Sequence, residues 1–271
     1  MESRYRGGGV SNILRDLRLV AVLAMLMGMV HTGQATEHAL AVFDLEDRRL
    51  IEQAFKGVLR YHPIHPEAIE DPEALLALDE PAYVYRVIPE SGPDRLEAHR
   101  YIRKRETPDS GHIEYRLNDE ESQRLALPDG NEVVITGAID RKEGVRTEFN
   151  PAKPLIPRGL EPGAQRRTST WVRVMDLDKP GRLRHEGELG VTLTHLGNLH
   201  VQIGFGEFDV YLLRLEAQGK IGPAKIMHRQ YYFYAEDTGL VAFVETRKIT
   251  AFAIYEKNER QAMVLEREES F

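Results

Sequence analysis

The sequence predicts a mainly β protein: an antiparallel sandwich, half-barrel or open barrel with one or two helices packed against it. Two observations predict it. From Ala82 onward, apolar and polar residues alternate with period two in runs separated by turn chemistry at regular intervals. Before Ala82 the apolar residues follow a helical period instead.

Composition sets the outer limits. The chain has 271 residues, 42% of them hydrophobic and 29% charged, which is ordinary for a folded globular protein with a sizeable core. The net charge is −7. An acidic body has no broad attraction for phosphate backbones, so nucleic acid is excluded as an expected partner. There is no cysteine. That excludes disulfides, thiolate metal sites, cysteine nucleophiles and lipid attachment to an N-terminal cysteine.

Residues 1–35 read as a signal peptide. Arg4, Arg6, Arg15 and Arg18 form a basic stretch, and Leu19–Val30 is an unbroken apolar run without charge. Gly33 and Ala35 then supply small residues for cleavage before Thr36. A helix needs roughly 20 apolar residues to span the hydrocarbon core, and this run is shorter. The expected location is therefore periplasmic or secreted, with no integral membrane span after cleavage. The n-region lacks an Arg-Arg pair, which favours the general export route.

Residues 36–80 are expected to be helical. Asp44 is placed to cap a helix, with Glu46 and Asp47 in its first turn, where the positive end of the dipole favours acids. Leu50, Ile51, Ala54, Phe55, Val58 and Leu59 form one apolar stripe, and the helix should end near Tyr61–Pro63. A shorter helix is expected over Pro66–Leu78, broken by Pro72.

Residues 81–271 form the β domain. Strands are expected at Ala82–Ile88, Leu96–Arg105, His112–Leu117, Ser122–Leu127, Glu132–Ile139 and Val145–Phe149, with Pro128–Asn131 as a turn. Prolines 151, 154, 157 and 162 mark residues 151–163 as an extended crossover through which no central strand runs. Beyond it, strands are expected at Ser169–Asp176, Arg184–Leu196, Leu199–Ile203, Phe208–Ala217, Lys225–Tyr234, Leu240–Arg247, Ile249–Tyr255 and Gln261–Leu265. Gly197-Asn198 reads as a tight hairpin turn, with His195 and His200 on its flanks.

No motif carries catalytic chemistry. No serine sits in a Gly-x-Ser-x-Gly elbow, and no glycine-rich stretch matches a phosphate-cradling loop. His62 and His65, with His38 upstream, are separated by prolines and read as an exposed loop rather than a metal site. No cofactor or metal is expected. Aromatic residues point elsewhere: Tyr231, Tyr232, Phe233 and Tyr234 run consecutively, so both faces of that strand carry rings. Together with Trp171, the only tryptophan, they are the candidate lining of a ligand groove.

Four features carry a resemblance. They are Pro162-Gly163 closing the proline-rich segment, the Gly206-Glu-Phe208 turn, the aromatic strand Tyr231–Tyr234, and Gly239-Leu-Val241. Over roughly residues 95–250 the chain resembles a family of secreted bacterial β-proteins of unknown function, departing from it at Tyr232, where tryptophan is commoner. That family's architecture is similar to the curved sheets of periplasmic lipoprotein carriers. The resemblance implies a concave apolar surface and supplies no catalytic residues. The expected function is that of an exported, noncatalytic envelope protein holding an apolar or amphipathic small molecule on a curved sheet. A structural or interaction module that meets another envelope protein, and a cell-wall or glycan-active enzyme, are the alternatives.

Overall fold

The computed structural model of the chain describes residues 43–78, 82–107, 110–179, 181–251 and 255–268. Residues 1–35, which the sequence predicts to be a signal peptide, and His38 lie outside the described residues. Among the described residues one α-helix, α1 (Leu45–Phe55), precedes thirteen strands. These are β1 (Arg60–Pro63), β2 (Tyr83–Pro89), β3 (Arg95–Thr107), β4 (Ser110–Arg116), β5 (Glu121–Ala126), β6 (Glu132–Asp140) and β7 (Val145–Pro157). They continue as β8 (Gln165–Asp176), β9 (Leu183–Gln202), β10 (Glu207–Ile221), β11 (Ala224–Ala235), β12 (Gly239–Ala251) and β13 (Tyr255–Glu268). From β2 to β13 every strand pairs antiparallel with the next, and β13 pairs back onto β2. The result is a closed, up-and-down barrel of twelve strands, more specific than the sandwich or open barrel the sequence predicts.

The registers assign an inner and an outer row to each strand. Leu215, Gln230 and Glu245 are successive partners across β10, β11 and β12, and Leu213, Tyr232 and Phe243 form the next rung. These rows face inward. On β8 the inward Thr170 and Val172 are buried, while Arg167, Ser169, Trp171 and Arg173 face outward and are exposed. A lipid-embedded barrel carries an apolar outer band. The outward rows of β8 and β9 are instead charged, with Arg184, Glu186 and Glu188 continuing the series. No helix among the described residues is long and apolar enough to cross a membrane.

Burial changes along the barrel. The first half of β9 alternates between buried and exposed, but from Leu193 to Leu199 both faces are buried. The same happens over Val210–Leu213, Tyr231–Ala235 and Gly239–Val244. The outer cover there is the N-terminal segment. β1 pairs with the end of β9, where His62 opposes His200. Phe55 of α1 meets Phe233 edge-on at 5.8 Å, and the Gly159 amide donates to the Ile69 carbonyl. Asp44 caps α1 by accepting from the Asp47 amide at 2.8 Å, as its position predicts.

Several local expectations need correction. The helix ends at Phe55, not near Tyr61, because Lys56 and Gly57 take left-handed backbone angles that reverse the chain. This frees Arg60–Pro63 to extend as β1. No α-helix forms over residues 66–78; two prolines break the pattern, and only a single turn of 3-10 helix at Ala74–Leu76 remains. Strand β7 does run through Pro151, Pro154 and Pro157. It can do so because pairing with β8 stops at Asn150, and the pairing with β6 shifts register twice there. Gly197-Asn198 is not a hairpin turn. β9 continues through it, and Leu196 is the extra residue of a bulge opposite Leu212 and Leu213. Residues 239–251 form one strand rather than two.

Two glycines let β9 and β10 coil closely. A Cβ at Gly187 would lie 1.9 Å from the Lys220 carbonyl oxygen, and one at Gly219 would lie 2.0 Å from that of Glu188. Both obstacles are backbone and cannot step aside. Gly219→Ala is expected to cost about 3 kcal/mol, by analogy with the strain of overpacked cores. A lowered urea midpoint with an unchanged slope would show this; an unchanged midpoint would refute it.

A candidate ligand chamber inside the barrel

Five of the inward tyrosines, Tyr85, Tyr101, Tyr115, Tyr232 and Tyr234, plug the middle of the barrel. The Tyr101 and Tyr115 rings stack at 4.3 Å, and Tyr232 and Tyr234 stack at 5.7 Å. Tyr85 donates from its hydroxyl to the Leu240 carbonyl at 2.6 Å, and the Tyr115 hydroxyl bonds His99 Nδ1 at 2.8 Å. Burial raises the hydroxyl pKa of all five above the ordinary value. It also lowers that of His99, against the pull of Glu97.

Above this plug the barrel is not filled. A chamber of about 670 Å³ extends toward one mouth, lined by residues of strands β2, β3, β5–β7 and β11–β13 and of the β4–β5 connection. That volume lies within the range of small-molecule sites. Phe149, Phe243 and Met263 give it an apolar wall, and Phe243 rests on Tyr232 at 5.0 Å. Polar groups converge on the same space. Glu245 accepts from Gln261 Nε2 at 2.7 Å and bonds His228 Nε2 at 2.8 Å. Burial pushes its carboxyl up, but those bonds and the Arg247 charge outweigh it, so Glu245 is held below the usual carboxylate range. Glu97 is lowered by the neighbouring His99, 3.7 Å away, and by Arg95. Glu121, nearer the mouth, is raised by desolvation and by Asp140, Glu97 and Glu245.

Two groups in the chamber lack such partners. The Gln230 side chain is 5% exposed and its Oε1 has no hydrogen-bond partner. Lys153 on β7 makes no ion pair or hydrogen bond among the described residues. Its ammonium lies over the Phe149 ring at 5.4 Å, and desolvation pulls its pKa down to about 8 despite Glu245.

The residues expected to line a groove are divided by the barrel wall. Tyr232 and Tyr234 face inward and belong to the plug beneath the chamber. Tyr231 and Phe233 face outward and are covered by α1, with the Tyr231 hydroxyl 2.5 Å from Asp47. Trp171 is on the outer face of β8, 46% exposed, its indole N–H donating to Glu186 at 3.3 Å. Among the described residues, no group of three or more histidine, aspartate or glutamate side chains is arranged to hold a metal. His62 instead packs on His200, whose Nδ1 bonds Asp209 at 2.7 Å. Sequence reasoning missed Lys153 and Gln230. The one signal that could have found Lys153 is a lysine between two prolines of a strand that is otherwise apolar toward Pro157.

The four motifs of the resemblance fall at connections and at the plug. Gly206 closes the β9–β10 turn and Phe208 lies at the start of β10, where it stacks on Phe205; the Gly163 amide donates to the His195 carbonyl. No protein-family model matches this chain, and no curated protein matches it. Among solved structures, the chain is similar to one from Parabacteroides distasonis ATCC 8503 described as a presumed lipoprotein. The match has 10% identity and a TM-score of 0.37, and covers 74% of this chain and 100% of the other.

Proposed function

We propose that this is an exported, noncatalytic envelope protein whose barrel holds a small amphipathic ligand. The observation that carries the reading is the unfilled chamber above the tyrosine plug, with an apolar wall of Phe149, Phe243 and Met263 beside unpaired polar groups. A folded protein ordinarily fills such a space with its own side chains. A void that is part apolar and part polar matches a ligand of the same two characters. Export rests on the basic stretch, the short apolar run and the Gly33-x-Ala35 site.

Native mass spectrometry of protein recovered from the envelope tests both parts. The expected species begins at Thr36 and carries extra mass that denaturation releases. The uncharged probe N-phenyl-1-naphthylamine should brighten on binding the purified barrel. Gln123 lines the chamber, and Gln123→Trp should fill it, lowering probe affinity at least tenfold while the barrel stays folded. Ligand-free protein that leaves the probe dark would sink the ligand reading.

A further inference from the structure

Among the described residues, the chamber contains one positive charge, on Lys153, that makes no ion pair or hydrogen bond. Its other deep charges are matched: Glu245 by His228 and Gln261, and Glu97 by Arg95 at 2.7 Å. Lys153 has the face of Phe149, an aromatic contact that offsets part of the cost of desolvation, and feels the Glu245 charge, which is already bonded by His228 and Gln261. The ammonium is therefore a preformed counter-charge, set beside the apolar wall. We propose that Lys153 selects ligands with a singly charged anionic head, a carboxylate or a phosphodiester, whose apolar part lies along Phe149, Phe243 and Met263. This rests on the ligand-binding reading above and names the chemistry of its ligand.

The rim sharpens the selection. Glu121 and Asp140 line the chamber near its mouth and face each other across β5 and β6. Their charges oppose a dianion more strongly than a monoanion. Gln230 adds a hydrogen-bonding end that is 5% exposed and lacks a partner at Oε1, suited to a hydroxyl or amide on the ligand.

Binding also carries a pH signature. An anion beside Lys153 favours its protonated form, so the bound state has the higher pKa. The free lysine titrates at about 8, so affinity for an anion should fall roughly tenfold per pH unit above that value. A neutral ligand should show no such fall.

Displacement of N-phenyl-1-naphthylamine from the mature chain tests the proposal, with dodecanoate, dodecyl methyl phosphate, dodecanol and dodecylamine as competitors. At pH 7 one or both anions should bind at least tenfold more tightly than dodecanol, and dodecylamine more weakly. Comparing the two anions separates a free acyl carboxylate from a phosphodiester head. Lys153→Met should remove the preference, and Lys153→Arg should keep it. The wild-type pH series gives the same answer without a variant. Equal binding of the anions, dodecanol and dodecylamine, at every pH, would overturn the selection while leaving the ligand reading intact. Failure of the probe itself to bind would overturn both.

Discussion

Between pH 10 and pH 11 the barrel is expected to unfold abruptly rather than titrate. Tyr85, Tyr101, Tyr115, Tyr232 and Tyr234 are buried in one interior cluster, and burial raises the pKa of each above 10. The folded chain therefore keeps these five hydroxyls protonated where the unfolded chain has begun to release them. The folded pKa values are raised, so the stabilisation is complete below about pH 10 and is lost as pH rises above it. Each tyrosine contributes about 1.4 kcal/mol per pH unit in that window, so five together contribute about 7 kcal/mol by pH 11. Domain stability is itself about 5–15 kcal/mol. Tyrosinate absorbance and circular dichroism should thus change together in one steep transition. A gradual rise in absorbance near the ordinary pKa, with the β signal intact, would show that water reaches the cluster.

The second large effect is expected at Asp47. This residue belongs to the first turn of α1, where an acid would be read as a surface partner of the helix dipole. Here it is 0% exposed. Its two oxygens accept from Arg214 on β10 at 2.6 Å and from the Tyr231 hydroxyl on β11 at 2.5 Å. Asp47 thus pins the helix to the outer wall. Asp47→Ala leaves the half-buried Arg214 guanidinium facing a cavity, with only Glu216 at 3.4 Å as compensation. Breaking a buried pair in this way costs about 3–5 kcal/mol. Replacing both partners, as Asp47→Leu with Arg214→Met, should recover much of the loss, because no unmatched charge remains. Urea unfolding of the two single variants and the double variant checks this; losses that simply add would mean the pair is not coupled.

Asp47 also shows what the sequence could not disclose. The helix itself was legible: Asp44 is a capping residue, and Ile51, Ala54 and Phe55 form its buried stripe. The partner of Asp47 was not, because Arg214 lies 167 residues away on a strand whose outer face reads as exposed. The strands were legible for the same reason as the helix, since their period follows from burial on one face. The periodicity fails where both faces are buried. The continuously buried stretch Leu193–Leu199, with polar Thr194, His195 and Asn198 in it, therefore reads as a turn at Gly197-Asn198, and Tyr231–Tyr234 reads as a groove. The chamber was hidden because its walls come from eight strands, and only closure brings Lys153 opposite Glu245. Proline misled in β7 because its missing N–H matters only where a partner would accept it, and β8 has already parted from β7 there.

The pairing of β13 with β2 has a consequence for the order in which the protein can assemble. Every other seam of the barrel joins neighbours in sequence, so eleven of its contacts can zip locally as the chain becomes available. The last seam brings Val87 against Met263, with ten strands between them. Until β13 arrives, β2 and β12 present two open hydrogen-bonding edges, the situation in which sheets recruit foreign strands. The loop-closure entropy of that seam is met only once, at the end. A chain that becomes available from its N terminus would therefore complete its barrel only after residue 255 had appeared, and until then would depend on something else to guard those edges.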